Sequence, residues 1–152
     1  QLRISVAQAQ ALMDDYFSRF GRVRTYLDSL VQEARKEGYT QTILGRRRYL
    51  PDLNSTNRQA REAAERMALN APIQGSAADI VKLAMVAVVD SMKGMRSRVL
   101  LQVHDELVLE IAPGERDAVE AVVRREMENA VELAVPLSVG IGVGPSWREA
   151  AH

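Results

Sequence analysis

Apolar residues recur at helical spacing through the first quarter of the chain. Ala9, Leu12, Met13, Tyr16, Phe17 and Phe20 form one stripe behind Ser5, a suitable N-cap. Val23, Tyr26, Leu27, Leu30, Val31 and Ala34 form a second stripe, stopped by Gly38. Gly21 separates the two, and the short connection predicts a pair of packed antiparallel helices. The period then shortens. Tyr39-Thr40-Gln41-Thr42-Ile43 and Arg48-Tyr49-Leu50 predict a small hairpin around Gly45, ended by Pro51. A helix is expected next, from Ser55 or Thr56 to about Asn70. Its stripe of Ala60, Ala63, Ala64, Met67 and Ala71 allows a neighbour to approach closely. Pro72 is expected to break or kink this helix. Ser76 and Asp79 then have the spacing of a capping box that opens another helix. From Ile80 to Val89 that helix is apolar nearly all round, save Lys82, so burial on most sides is expected until Gly94 ends it.

Two further apolar runs, Val99 to Val103 and Leu107 to Ile111, are joined only by His104, Asp105 and Glu106. They predict a tight hairpin with a polar tip. Pro113-Gly114 turns the chain into an amphipathic helix with Ala118, Val119, Val122, Val123, Met127 and Val131 on its inner face. Residues 136–143 predict a strand beside the hairpin. Their alternating glycines are not a phosphate loop, because no P-loop lysine or following helix accompanies them. Trp147 is expected to close the chain as a packing anchor. Repeats, low-complexity tracts and linkers are absent. Helices first, then strands and helices without strict alternation, predict an α+β fold with an antiparallel sheet.

Composition narrows the class. With 152 residues, 47% of them hydrophobic, the chain is long enough for an ordinary core. No uninterrupted apolar run approaches the roughly 20 residues of a membrane span. The chain has no cysteine, which removes disulfide frameworks and thiolate metal sites, zinc fingers included, and suits a cytoplasmic protein. Gln1-Leu2-Arg3-Ile4 carries neither an initiator Met nor a signal pattern, and opens as the interior of a longer chain would. The zero net charge conceals an imbalance. Residues 1–75 hold 12 Lys and Arg against 8 Asp and Glu, whereas residues 76–152 hold 8 against 12. A polyanion surface beside a cation site fits this division, and so does a random spread of solvated charge.

Three groups of residues carry candidate chemistry. At the hairpin tip, His104, Asp105 and Glu106 occupy a turn that usually takes Gly or Asn. Adjacent carboxylates repel each other, and a bound cation relieves that repulsion. Arg46, Arg47 and Arg48 present planar guanidinium forks suited to phosphate oxygens, although surface arginines are commonly just solvated. Arg66, Asn70 and Gln74 recur every fourth residue and are placed to line one edge. A plain polar surface stripe is the alternative.

Several blocks, in order, resemble one family. Val103-His104-Asp105-Glu106-Leu107 resembles the motif C turn of family A DNA polymerases, the bacterial polymerase I group. Gly45 to Asp52 and Arg61 to Asp79 resemble the same family, and the ending from Trp147 to His152 is similar to its natural C-terminus. The resemblance covers essentially the whole chain. It implies part of a right-hand fold, with residues 1–40 belonging to the fingers and residues 41–152 to a palm-type antiparallel sheet and its helices. It implies template-directed nucleotidyl transfer to a primer 3′ end, in replication and repair, by an enzyme that is monomeric when complete. The implied partners are primer-template DNA and deoxynucleoside triphosphates, without a membrane, and the implied cofactor is two Mg2+ ions, with Mn2+ as a substitute.

By position, Asp105 and Glu106 take the catalytic and metal-binding places, Glu106 in an auxiliary part. His104 falls near the primer terminus, and Arg66, Asn70 and Gln74 fall along the minor groove. That groove offers acceptors at every base pair, so donors there test pair geometry without reading sequence. The departures are equally informative. The family's other metal aspartate motif is absent, and Asp15-Tyr16-Phe17-Ser18 is a superficial echo expected to lie in the core. The helix that binds the incoming triphosphate is absent as well, as are the thumb and exonuclease regions. The isolated chain is therefore expected to be inactive. A non-catalytic nucleic-acid-binding module that kept the fold would be expected to lose Asp105. A metal-dependent nuclease would need further clustered ligands, and the only other histidine is His152.

Overall fold

The computed structural model describes residues 4–150, so the expectation for His152 lies outside the described residues. The chain forms two compact units, residues 1–75 and 76–152. The class is α+β, with two separate two-stranded antiparallel hairpins.

In the first unit, α1 (Val6–Arg19) starts as the sequence predicts. Ser5 Oγ accepts the Gln8 N–H while the Gln8 side chain accepts the Ser5 N–H, closing a capping box. Phe20, rather than Gly21, is the break, and α2 (Gly21–Glu37) follows after that single residue. Gly38, at φ 80°, terminates α2 in the left-handed conformation that glycine adopts without a Cβ penalty. The expectation of a packed helix pair is not met. Among its described residues α1 buries none, and Leu12, Met13 and Tyr16 are exposed. The Asp15-Tyr16-Phe17-Ser18 echo is therefore not core.

Strands β1 (Tyr39–Gln41) and β2 (Arg47–Tyr49) pair in the register Tyr39 with Tyr49, Thr40 with Arg48 and Gln41 with Arg47. Gly45, at φ 81°, makes their turn. A 3-10 turn, Pro51–Asn54, leads to α3 (Arg58–Ser91). Asn57 Oδ1 accepts the N–H groups of Gln59 and Ala60, which places the true start two residues beyond Ser55. Ala34, Leu50, Leu53, Ala64 and Ala68 form the core of this unit.

The largest difference from expectation lies in α3. It is one helix of 34 residues, with Pro72 inside it. Ser76 and Asp79 do not form a capping box; both are buried within the helix. An internal proline removes one hydrogen bond and crowds a carbonyl, at a cost of about 3 kcal/mol. Burial of Ala64 and Ala68 before it, and of Val81, Ala84 and Val88 after it, offsets that cost. The second half is not buried all round, since Leu83, Val86 and Val89 are 45%, 58% and 47% exposed. By length and composition α3 would also span a membrane, contrary to the expectation from unbroken runs. Asp79 and Lys82 interrupt the run without making the average polar. Both would be costly in lipid, and Val81, Ala84 and Val88 on one face are buried within the protein.

In the second unit, β3 (Arg98–Val103) and β4 (Glu106–Glu110) pair antiparallel, with a bulge between Val99 and Leu101. Gly114, at φ 86°, turns the chain into α4 (Arg116–Glu128). Val88, Met92, Val119, Val122 and Val123 form the core, against which Val99, Leu107, Leu109, Ile111 and Ile141 pack.

The strand expected over residues 136–143 does not form. Gly140 and Gly142 weaken strand propensity. Side chains of α4 instead take the Val139 backbone, with Arg124 Nη1 donating to its carbonyl and Glu128 accepting its N–H. Trp147 opens a short helix, α5 (Trp147–Ala150), and at 48% exposed it is not a packing anchor.

Candidate functional site

Helix α3 carries Arg66, Asn70 and Gln74 on one face, as their spacing predicts. All three line a single cleft of about 370 Å³, together with Arg48, Ala63, Met67 and Ala71. The cleft wall contains donors and small residues but no carboxylate. Its fourth polar member, Arg48, comes from the β1–β2 hairpin.

Strand alternation sorts the arginine run. Arg46 and Arg48 face α3, where Arg46 Nη2 donates to the Gly75 carbonyl at 3.1 Å and Arg48 Nη2 reaches Met67 Sδ at 3.2 Å. The Arg47 guanidinium instead lies 4.4 Å over the Tyr39 ring. A second cleft of about 180 Å³ is lined by Thr40, Gln41, Thr42, Arg46, Arg47, Arg48, Ala71, Gln74 and Gly75. Gly75 permits this docking. A Cβ there would come within 2.7 Å of Thr42 Cγ2 and 3.3 Å of Arg46 Nη2. The run alone did not single out Arg48. Its i, i+2 relation to Arg46 was the available signal.

In the second unit the β3–β4 tip is tighter than expected. The turn contains His104 and Asp105 only, and Glu106 is the first residue of β4, paired with Val103. His104 adopts φ 52°, a positive value for a non-glycine residue. The Gln102 side-chain amide donates to the His104 carbonyl and supports that turn. His104, Asp105 and Glu106 are all exposed.

The open end of this hairpin is held by Glu115, the residue just before α4. Glu115 Oε2 accepts the Ser97 N–H at 2.9 Å and the Ser97 hydroxyl at 2.6 Å, and the carboxylate also accepts the Arg96 N–H at 3.1 Å. Those donors, Ser97 Oγ foremost, hold the Glu115 carboxyl down to about 2 from its ordinary 4.5. Ser97 Oγ in turn accepts the Ala112 N–H at 2.9 Å. Sequence reasoning missed this group, because one Ser and one Glu eighteen residues apart carry no motif.

The carboxylates of Asp105 and Glu106 have the hard oxygen chemistry of a Mg2+ ligand and stand open to solvent. Among the described residues, no three His, Cys, Asp or Glu side chains converge on one point. The donors line a cleft in the first unit, and the acid oxygens stand exposed on a hairpin tip in the second.

A family model described as DNA polymerase family A matches residues 1–149, and the chain belongs to that family. It is 62% identical to the DNA polymerase I of Mycobacterium leprae (strain TN), over 154 positions covering all of this chain and 17% of that protein. It is 49% identical to the thermostable DNA polymerase I of Thermus aquaticus, covering 99% of this chain and 18% of that protein. Among solved structures, the POL domain of Pol1 from M. smegmatis, in complex with DNA primer-template and dNTP, superposes with a TM-score of 0.95 at 60% identity. The match covers all of this chain and 27% of that one. The chain therefore spans about a sixth of the length of the curated relatives it matches.

Proposed function

We propose that this chain is the part of a family A DNA polymerase that grips primer-template DNA and supplies one side of the metal centre for template-directed nucleotide addition. The observation that carries this reading is the single cleft holding Arg48, Arg66, Asn70 and Gln74, with no carboxylate in its lining. Long donors in such a cleft match the acceptors at purine N3 and pyrimidine O2 in the minor groove. The M. smegmatis neighbour, with primer-template and dNTP bound, supports the same class of substrate.

In this reading residues 1–40 belong to the fingers and residues 41–152 to the palm. Asp105 holds a divalent cation and Glu106 assists it, while His104 lies at the primer terminus. When bound, Mg2+ supplies charge stabilisation for the attacking and leaving oxygens. The β3–β4 hairpin carries Asp105 at its tip. Arg66, Asn70 and Gln74 hold the duplex so that the primer end keeps its place relative to the template. The chain by itself lacks the rest of the site and is inactive. Retention of Asp105 disfavours a purely binding module.

The cleft is tested with DNA in which 3-deazapurines remove the N3 acceptor near the primer terminus. Arg66→Ala and Gln74→Ala in the full-length enzyme should each lower extension on normal DNA by about tenfold or more, the scale of one good base-edge contact. At least one of the two should lose most of that effect on the modified DNA. Equal losses on both substrates, for both variants, would contradict a minor-groove role.

A further inference from the structure

We infer that Glu115, acting through Ser97, is a positioning residue that sets the stance of the β3–β4 hairpin and hence the place of Asp105. The inference rests on the metal-binding role proposed above for Asp105. It comes from the asymmetry of the hairpin, which is exposed at its tip and clamped at its root.

The tip residues His104, Asp105 and Glu106 are exposed, so nothing within the unit buries them in a fixed place. Along its length the hairpin rests one apolar face on the core through Val99, Leu107, Leu109 and Ile111. Strand pairing fixes the register, but apolar contact is non-directional and by itself leaves the tilt of the hairpin on the core loosely defined. The root supplies direction. One carboxylate accepts three donors from Arg96 and Ser97, just before β3. The Ser97 hydroxyl accepts the Ala112 N–H just beyond the end of β4, and Arg96 Nη2 donates to the Pro113 carbonyl at 2.7 Å. Both arms of the hairpin are thereby tied to the residue that opens α4. Ser97 is buried, so its hydroxyl has few other partners to turn to.

The lever is long. From Ser97 to Val103 is six strand residues, about 20 Å at about 3.3 Å each. A tilt of about 3° at the root displaces the tip by about 1 Å over that length. A misplacement of that size costs catalysis on the order of 100-fold. Loosening the root therefore disturbs the carboxylate at the tip, and no residue of the clamp lines the cleft of Arg66, Asn70 and Gln74.

The test uses the full-length enzyme with Glu115→Ala and Ser97→Ala, each assayed well below its own melting temperature. Expected are a kcat at least tenfold lower and a half-saturating Mg2+ concentration several-fold higher, with the Kd for primer-template unchanged within about twofold. Glu115→Gln, which keeps one acceptor oxygen, should fall between Glu115→Ala and the native enzyme. Native kcat and native Mg2+ dependence in both folded alanine variants would overturn the inference. So would failure of both to fold, since the clamp would then be a stability element alone. Asp105→Ala in the same assay separates the two claims. If it extends normally, the metal role fails; if it is inactive while the clamp variants behave as native, only the positioning role fails.

Discussion

His104 and Glu115 show how single residues set this hairpin. His104 takes φ 52°, which for a non-glycine residue costs roughly 1–2 kcal/mol. Non-glycine residues held in this region cluster at functional sites, and here the strained residue adjoins the proposed metal carboxylate. At the other end, Glu115 is ionised across nearly the whole pH range, because three donors favour its charged form. Its folded value, about 2, lies below the ordinary 4.5, so its contribution is fully present above pH 4.5. That contribution is lost as pH falls through about 2. The Arg96 and Ser97 amide resonances should therefore titrate with a midpoint near pH 2. A midpoint at the ordinary value of 4.5 would show that the clamp does not bind the carboxylate.

At the scale of elements, docking of the β1–β2 hairpin on α3 depends on the absence of one Cβ. Gly75→Ala would place a methyl 2.7 Å from Thr42 Cγ2. Relief requires the Thr42 side chain, or the hairpin that carries it, to shift, with a destabilisation of about 1–3 kcal/mol by denaturant unfolding. The Arg46 contact to the Gly75 carbonyl should loosen with it. An unchanged midpoint would mean that hairpin and helix are not in close contact there.

Elements governed by local rules were legible in the sequence. Ser5 and Gln8 define the start of α1, Gly38 its successor's end, and Gly45 the first turn, each through its own backbone chemistry. The misreadings arose where tertiary burial outweighs a local signal. Pro72 and the Ser76–Asp79 spacing both argue for a break, yet α3 continues because packed residues on either side hold it. Residues 136–143 have strand character, but α4 side chains occupy the Val139 backbone groups. The site divides in the same way. Periodicity alone placed Arg66, Asn70 and Gln74 on one wall and offered only the i, i+2 relation to Arg46 for Arg48, whereas Glu115 joins Ser97 through folding that no spacing reveals.

For the molecule as a whole, the charge imbalance coincides with the structural division. The unit spanning residues 1–75, with its donor-lined cleft, carries the excess of Lys and Arg. The unit spanning residues 76–152, with the acidic tip, carries the excess of Asp and Glu. A basic unit suits a polyanionic duplex and an acidic one suits a cation, which is the division of labour the proposed reaction needs. The exposed apolar residues of α1 and of the outer face of α3 are compatible with a chain that spans only 17% of its mycobacterial relative. In the proposed reaction Asp105 supplies a metal-holding carboxylate for nucleotide addition. The most direct test of that role is single-turnover incorporation by full-length Asp105→Ala, measured beside primer-template binding. The rate should fall by at least about a thousandfold, on the order of 4 kcal/mol of transition-state stabilisation, with the DNA Kd within about threefold of native. Incorporation within tenfold of the native rate would contradict it.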